Sequence, residues 1–358
     1  MSDGVAAHGG LVHEELARLG LAPENVLDVS VNVNPYGPCE TVLSAVRSAS
    51  LERYPDPSAA PARTALGRFL DVPSERVVVG NGAVDVLWSL ARALVPRGAA
   101  VLIVEPAFSE LRRAACYAGA RIVEHRLRAE HDFAFDPVAL DTVLHAAKPV
   151  LAYICSPANP TGKACPIAAL VALAEGHPKT TFVVDLSFAS LSEQHAEQAV
   201  SRSEHIVWLR SLTKDLALAG LRVGFAVAPQ RVAEALEASR PPWSVNALAQ
   251  AAAIAATSSD ALEFVARSRE RLLADRGVLE ASLRAIGLRP GSSTTLFSLV
   301  DLGPERQARA VREALLARDA VLVRDCTSFG LPHHLRICAR PAAQTAQVIR
   351  AFAKELNR

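Results

Sequence analysis

The sequence predicts an α/β fold, with a mostly parallel sheet of seven strands between layers of helices. Short apolar runs recur along the first two-thirds of the chain and are separated by segments with helical periodicity, as in parallel sheets. Half of the 358 residues are hydrophobic, which is ample for one or two well-packed domains. The predicted strands cover 77–79, 101–104, 121–126, 150–155, 181–185, 205–209 and 223–228.

Helices are expected between these strands, and the clearest of them covers 83–94. The pattern changes after Pro241-Pro242, where long helical segments cover 245–286. The rest of the chain predicts a smaller α+β unit, because short strands mix there with helices. These strands are predicted at 295–300, 321–324 and 334–338, and the helices at 305–317 and 341–355.

Three parts of the chain follow from this pattern. We expect an N-terminal arm over 1–35, with a short helix at His13–Leu19. A large α/β domain would cover 36–240. A linking helix and the small α+β domain would occupy 241–358.

Composition excludes several classes of function. The 38 basic and 37 acidic residues nearly balance, and without a basic stripe we expect no nucleic-acid partner. No apolar stretch reaches membrane-spanning length, so we expect no membrane association. The six cysteines form no Cys-x-x-Cys pair, which favours reduced thiols of a cytoplasmic protein over disulfides or a metal site.

The most informative segment is Ser211-Leu212-Thr213-Lys214, with Arg222 eight residues beyond the lysine between Gly220 and Gly224. A lysine amine can condense with an aldehyde. Small hydroxyls and a guanidinium can hold a phosphate dianion, the guanidinium through two parallel hydrogen bonds. The spacing therefore suits a cofactor that carries both an aldehyde and a phosphate.

Three upstream segments support this interpretation. Gly80-Asn81-Gly82 joins a strand to a helix, whose N-terminal N–H groups at Ala83 and Val84 can bind phosphate. The turn Ser156–Gly162, which contains Asn159, follows a buried strand at the edge where open α/β sheets bind ligands. Asp185 ends another apolar strand, where a charge is costly unless it has a partner.

Five segments are thus present in chain order: the glycine turn Gly80–Gly82, the turn Ser156–Gly162, the strand end at Asp185, Ser211–Lys214, and Gly220–Gly224 with Arg222. In this order they resemble the pyridoxal 5'-phosphate enzymes of fold type I, the class I/II aminotransferase superfamily. The resemblance extends over essentially the whole chain. It implies that Lys214 carries the cofactor and moves protons, and that Asp185 keeps the pyridine nitrogen protonated. Asn159 would hydrogen-bond the ring hydroxyl oxygen, and Phe108 would stack on the ring. The phosphate would be held by Gly82, Ala83, Val84, Ser211, Thr213 and Arg222.

Tyr54, in Arg53-Tyr54-Pro55-Asp56, resembles the tyrosine that in this superfamily reaches the cofactor phosphate from the neighbouring subunit. The resemblance therefore implies a homodimer with shared active sites.

Within the superfamily, several segments look closer to the L-threonine-O-3-phosphate decarboxylase family than to the histidinol-phosphate aminotransferases. They are His8-Gly9-Gly10, Ser30–Pro35, Pro242–Ala249 and Val323–Cys326 with Leu335–Ile337. The resemblance implies that the substrate is bound by His8, Asn32, Asn159, Arg324 and Arg336. Two arginines and a histidine suit a substrate with both a phosphate and a carboxylate. We therefore expect decarboxylation of O-phospho-L-threonine to (R)-1-amino-2-propanol phosphate, in cobalamin biosynthesis.

Two alternatives remain open at this stage. A histidinol-phosphate-type aminotransferase shares the cofactor, the fold and most of the site. Which reaction occurs depends on which bond at the substrate Cα stands perpendicular to the cofactor ring, and no motif reports that rotation. A non-catalytic relative would keep the fold, but it would not need Lys214, Asp185 and Arg222 together.

Overall fold

The structure is a computed structural model that describes residues 8–195 and 203–356; the first seven residues of the predicted arm lie outside this part. The strands, β1 to β13 in chain order, are Leu27–Asp28, Val77–Gly80, Ala100–Glu105, Arg121–Arg126, Leu151–Cys155, Thr181–Asp185, Ile206–Ser211, Gly224–Val227, Arg289–Pro290, Phe297–Asp301, Val321–Leu322, Arg324–Asp325 and His334–Cys338. The helices, α1 to α13, are His13–Leu19, Glu40–Arg47, Ala60–Leu70, Ala83–Leu94, Glu110–Tyr117, Pro137–Ala147, Ile167–Gly176, Leu212–Asp215, Gln230–Ala238, Ala247–Ala255, Ser259–Ala285, Ala308–Asp319 and Ala342–Leu356.

The central sheet has seven strands in the order β2-β8-β7-β6-β5-β3-β4. Strand β8 runs antiparallel to both of its neighbours, β2 and β7, and the other pairs are parallel. This arrangement confirms the predicted mixed, mostly parallel α/β sheet. Each of its strands lies within two residues of the predicted position, because near-continuous apolar runs mark strands that are buried on both faces.

Both faces of the central sheet are covered. Alternate residues of β5 and β6 point to opposite faces, so Ala152 and Phe182 belong to one apolar core and Tyr153 and Val183 to the other. The first core includes residues of α2, α3, α7 and α10, and the second includes residues of α4, α5 and α9. The sheet is thus the rigid middle layer of this part of the chain.

The C-terminal part contains an antiparallel sheet in the order β12-β13-β10-β9. The strand predicted at 321–324 is two strands, because β11 pairs parallel with β1 whereas β12 joins β13. Strand β1 was not predicted, since two residues are too short to show a periodicity. Helices α10 and α11 occupy the segment predicted to be helical over 245–286. The division of the chain at 35 and 240 stays a prediction.

The segment after β1 connects this C-terminal sheet to the central one. The backbone oxygen of Ser30 accepts a hydrogen bond from Arg336 of β13. Four residues further on, the backbone N–H of Asn34 donates to the carbonyl of Lys214 at 3.1 Å. The amide of Asn34 also donates to the carbonyl of Asp215 at 2.9 Å. Within the described ranges, no helix combines the length and the apolar character needed to cross a bilayer.

Candidate active site

A cavity of about 440 Å³ lies where the carboxyl ends of β5, β6 and β7 face β12, β13 and the N-terminal segment. This volume is in the range of small-molecule sites. The cavity brings together every predicted site residue except Gly82 and Tyr54. Those in contact with it are His8, Asn32, Ala83, Val84, Phe108, Asn159, Asp185, Ser211, Thr213, Lys214, Arg222, Arg324 and Arg336.

Lys214 lies on α8, the single turn that follows β7, and its side chain lines the cavity. Burial and the charges of Arg222 and Arg336 together lower the pKa of its amine to about 8, against the opposing effect of Asp185 and Asp215. A lysine with this pKa is partly neutral near neutral pH, and the neutral amine is the nucleophilic and basic form.

Asp185 is the last residue of β6 and is buried. The backbone N–H of Ser187 donates to its Oδ1 at 2.9 Å, and the hydroxyl of Tyr153 donates to its Oδ2 at 2.7 Å. Burial raises the pKa of this carboxyl, while hydrogen bonds from the side chain and backbone of Ser187 and from Tyr153, together with the charge of Lys214, oppose the rise. A cation placed against the carboxylate would compensate the buried charge.

A second group of residues forms a cup of hydrogen-bond donors at one side of the cavity. The hydroxyls of Ser211 and Thr213 are 2.7 Å apart and lie beside the cavity. Arg222 follows in a left-handed backbone conformation, with φ of 54°, and its guanidinium lies against Gly82 at the N-cap of α4. The first N–H groups of a helix have no partner within it, so those of Ala83 add donors to the cup.

Two buried arginines line the opposite side of the cavity. Arg324 of β12 and Arg336 of β13 are register partners in the antiparallel pair. Arg336 donates to Asn159 Oδ1 and to the backbone oxygen of Ser30, and Arg324 donates to the Ser328 hydroxyl at 2.7 Å. Burial lowers the pKa of both guanidiniums, that of Arg336 to about 10. Both remain cationic at neutral pH and favour anionic ligands.

Asn32 and Asn159 offer polar atoms to a ligand. The side-chain oxygen of Asn32 is buried in the cavity wall and has no hydrogen-bond partner among the residues that the structure covers. Because Asn159 accepts from Arg336 through its oxygen, its NH₂ group is left to donate to an acceptor in the cavity. A buried polar atom without a partner is costly, and a bound ligand would satisfy it.

The first described residue, His8, lines the cavity and is partly exposed. The ring of His8 lies 5.4 Å from that of Phe108 and 3.0 Å from the carboxylate of Glu110. Glu110 also accepts from Trp88 at 3.0 Å and from Arg113 at 2.7 Å. Burial raises the pKa of Glu110, but these three donors outweigh it and the net pKa is lowered.

Tyr54 lies outside the cavity of its own chain. Its side chain is 82% exposed and packs only against the ring of Trp243, with centroids 5.0 Å apart, among the ring contacts of the described chain. The residue therefore does not contribute to the site formed by its own subunit. Its predicted role, which is to reach the site of a partner subunit, stays a prediction.

Sequence reasoning missed Ser30, Glu110 and Tyr153. Their contacts join residues distant in the chain: Glu110 meets His8 across 102 positions, and Ser30 meets Arg336 across 306. Tyr153 did carry a usable signal, since it is a tyrosine inside an otherwise apolar strand and a buried hydroxyl needs a partner.

In the described chain, the only cluster of side chains with the spacing of metal ligands lies outside the cavity. The side chains of Asp141, His145 and His177 offer ligand atoms within 4.8 Å of one another. None of the three lines the cavity. His177 bonds Asp141 at 2.7 Å, which ties the end of α7 to α6.

The family model for aminotransferase class I and II matches residues 24–356. The chain belongs to the class I and II aminotransferase family. Pyridoxal 5'-phosphate is the cofactor of this family, and the predicted resemblance is confirmed. The residues around the cavity fit this cofactor. They are a lysine, a buried carboxylate, and a cup formed by two hydroxyls, a guanidinium and the N–H groups of a helix N-terminus.

Individual relatives narrow the comparison. Histidinol-phosphate aminotransferase 2 of Ralstonia nicotianae is 34% identical over 357 residues, covering 97% of this chain and 93% of its own. The solved histidinol-phosphate aminotransferase of Sinorhizobium meliloti, in complex with pyridoxal 5'-phosphate, superposes with a TM-score of 0.87 at 22% identity, covering 100% of this chain and 98% of its own. The L-threonine-O-3-phosphate decarboxylase of Porphyromonas gingivalis gives a TM-score of 0.81 at 25% identity, covering 93% of this chain and 100% of its own.

These comparisons overturn the predicted activity. Further bacterial and archaeal relatives, 29% to 33% identical, are also histidinol-phosphate aminotransferases. The prediction of a lyase that decarboxylates O-phosphothreonine in cobalamin biosynthesis is therefore wrong. The physical reason is that His8, Asn32, Arg324 and Arg336 were chosen because they can bind anions. Substrates of both enzymes carry a phosphate, so these residues do not discriminate between the two reactions.

Proposed function

We propose that the protein is an aminotransferase that moves the amino group of histidinol phosphate to 2-oxoglutarate. The activity named for its relatives supports the reaction. The observation in the site that carries it is the pair of buried, register-paired arginines facing Lys214 across one cavity. The proposed substrate is a small phosphorylated amine.

The two arginines suit both substrates of an aminotransferase in turn. Histidinol phosphate has one anionic group, which alone would leave Arg324 or Arg336 uncompensated. The second substrate, 2-oxoglutarate, has two carboxylates and uses both cations. A decarboxylase has only one substrate to accommodate, whereas a transaminase must bind two of different charge in the same cavity. The pair of cations that favoured a doubly anionic substrate therefore also fits the second half of a transamination.

The residues of the chain divide the work. When bound, pyridoxal 5'-phosphate supplies an electron sink for negative charge at the substrate Cα. Asp185 would hold a proton on the ring nitrogen. The amide of Asn159 would donate to the ring hydroxyl oxygen, and Phe108 would pack against the ring. Lys214 would act as the base that takes the proton from the substrate Cα, and its lowered pKa suits this task.

We also propose that the enzyme works as a cytoplasmic homodimer. Tyr54 is exposed on its own subunit, and the resemblance to the family places such a tyrosine at the phosphate of the neighbouring site. In that arrangement the hydroxyl of Tyr54 would add a further donor to Ser211, Thr213 and Arg222.

The decisive experiment uses purified, cofactor-loaded protein with L-histidinol phosphate and 2-oxoglutarate. We expect one glutamate for each histidinol phosphate consumed. Histidinol phosphate without the acceptor should already change the visible spectrum of the bound cofactor in a single turnover, and 2-oxoglutarate should restore it. Lys214→Ala is the matched control, because it removes the base while leaving the phosphate cup and both arginines.

The proposal fails if histidinol phosphate neither changes the spectrum nor yields glutamate while the bound cofactor is visible. A parallel incubation with O-phospho-L-threonine, in which CO₂ is measured, reports whether the enzyme catalyses decarboxylation instead. The two readouts differ in products, so one outcome cannot be mistaken for the other.

A further inference from the structure

The carboxylate of Asp185 is held at both oxygens. The backbone N–H of Ser187 fixes Oδ1 at 2.9 Å, and this donor belongs to the same strand end. The other oxygen accepts from the hydroxyl of Tyr153, on the neighbouring strand, at 2.7 Å. With both oxygens engaged, the carboxylate plane cannot turn about its Cβ–Cγ bond without breaking a hydrogen bond.

The phenol is itself held by a third residue. The thiol of Cys155 donates to the hydroxyl oxygen of Tyr153 at 3.1 Å. In the parallel pairing of β5 with β6, Cys155 is the partner of Asp185 and Tyr153 is the partner of Val183. Side chains two residues apart share a face of a sheet, so the thiol, the phenol and the carboxylate form one chain of donors on the same face.

We propose that Tyr153 is a positioning residue of the reaction, which keeps Asp185 ionised and aimed at the ring nitrogen of the cofactor. Cys155 orients the phenol for this purpose. The inference rests on the role of Asp185 in the proposed function. Tyr153 is fully buried and does not line the cavity, so it would act only through the carboxylate.

The energetic argument concerns the charge state of a buried acid. Burial favours the neutral form of Asp185, and each hydrogen bond donated to it favours the ionised form. Burial and the nearby carboxylate also raise the pKa of Tyr153 well above its usual value, so the phenol keeps the proton that it donates. The other titratable groups that face Asp185 are Cys155 on β5 and Lys214 after β7. The side chains that donate to the carboxylate are those of Ser187 and Tyr153, and the phenol is the donor from the neighbouring strand.

A simpler interpretation is that the tyrosine merely satisfies its own buried hydroxyl. In that case, removing the oxygen would lower stability and leave the cofactor unaffected. The two interpretations therefore differ in whether removing the phenol oxygen alters the pKa of the Asp185 carboxyl.

The test is Tyr153→Phe, which removes one oxygen and keeps the packed ring. We expect kcat to fall about tenfold, the equivalent of about one pKa unit at the acid that protonates the ring. The KM for the amino donor should change little, because no substrate contact is altered. Two further measurements do not depend on turnover. The pKa of the Asp185 carboxyl, followed by carbon NMR in the cofactor-free protein, should rise. The affinity for the cofactor should fall. The pH at which the visible band of the loaded enzyme changes should move as well.

Tyr36→Phe is the matched control. Its hydroxyl also donates to a carboxylate, that of Asp275, but neither residue lines the cavity. It should leave the Asp185 titration, the spectrum and the cofactor affinity unchanged. Cys155→Ala should raise the pKa of the Asp185 carboxyl by less than Tyr153→Phe does, because the thiol reaches the carboxylate through the phenol. Since Cys155 also lines the cavity, its effect is judged on this titration alone.

A double-mutant cycle decides between the two interpretations. If the phenol acts through the carboxylate, Tyr153→Phe should have almost no further effect on kcat in an Asp185→Asn background. Full additivity of the two changes, or an unchanged carboxyl titration in Tyr153→Phe, would overturn the inference. The titration and the cofactor affinity do not involve the amino donor, so they stand or fall independently of histidinol phosphate as substrate.

Discussion

The guanidinium of Arg222 lies so close to Gly82 that a Cβ atom at that glycine would fall 2.5 Å from its Nη2. Gly82 also has φ of 90°, which side-chain-bearing residues rarely adopt. The N-cap of α4 is thus bare backbone, and the cation packs directly on it. This contact defines one wall of the phosphate cup.

Gly82→Ala should therefore weaken cofactor binding. The added methyl group must displace Arg222, and losing a charge-assisted hydrogen bond to phosphate costs about 1.5–3 kcal/mol, or roughly 10- to 100-fold in the dissociation constant. A fluorescence titration of the cofactor-free protein with pyridoxal 5'-phosphate measures this dissociation constant. Gly98→Ala is the control, because Gly98 shares the positive φ, at 81°, but has nothing within 4 Å of the added Cβ. Equal losses in both variants would assign the effect to backbone strain alone.

The rate at which cofactor-free protein takes up pyridoxal 5'-phosphate should depend on pH. The pKa of Lys214 is lowered to about 8, so the reactive neutral amine is the minor form below that pH and the major form above it. The rate should rise from pH 7 to 9 and then level off, as followed by the visible absorbance of the bound cofactor. Lys214→Ala should show no such absorbance, and borohydride should no longer fix the cofactor to the chain. A midpoint near 10.5, the ordinary value for lysine, would mean that the amine is not desolvated.

Tyr54 gives a test of shared active sites. If it completes the cup of a partner subunit, Tyr54→Ala should weaken cofactor binding by roughly 10- to 100-fold, the worth of one hydrogen bond to a charged group. Mixed dimers of Tyr54→Ala and Lys214→Ala would then contain one intact site and should recover activity after subunit exchange. Tyr117→Ala is the matched control, since Tyr117 is an 86% exposed tyrosine with no predicted role. Absence of recovery in verified mixed dimers would show that each site is built from one chain.

The way in which the two substrates use the two arginines is also testable. Arg324→Lys keeps the charge and loses the planar, two-pronged donor. The KM for 2-oxoglutarate, which uses both cations, should rise by about tenfold or more for a weakened hydrogen bond to a charged group. Arg289→Lys, in an exposed ion pair with Asp301 on the same sheet, should change neither constant. A rise in the KM for histidinol phosphate as well would assign its phosphate to Arg324, and an unchanged KM for 2-oxoglutarate would show that Arg324 does not bind that substrate.

The layout of the fold and the cofactor side of the site could be predicted from the sequence for a physical reason. Buried strands are apolar along their length, and Lys214, Asp185 and Arg222 stand at strand ends or turns where a polar residue interrupts that pattern. Strands β1 and β9 escaped prediction because two residues carry no periodicity.

The chemistry could not be predicted to the same depth. Arg324 and Arg336 lie in strands that face the cavity and both line it, but their predicted role in binding the substrate stays a prediction. Their presence, however, does not determine which bond at the substrate Cα is aligned for cleavage. That choice depends on the rotation of a small molecule within the cavity, which leaves no imprint on residue spacing.

The hydrogen bonds of the segment from Ser30 to Asn34 have a mechanical consequence. At one end Arg336 donates a hydrogen bond to the carbonyl of Ser30. At the other end Asn34 donates hydrogen bonds to the carbonyls of Lys214 and Asp215. Five residues of chain thus connect the strand that carries Arg336 to the turn that carries Lys214. These two walls of the cavity cannot separate without breaking at least one of these hydrogen bonds.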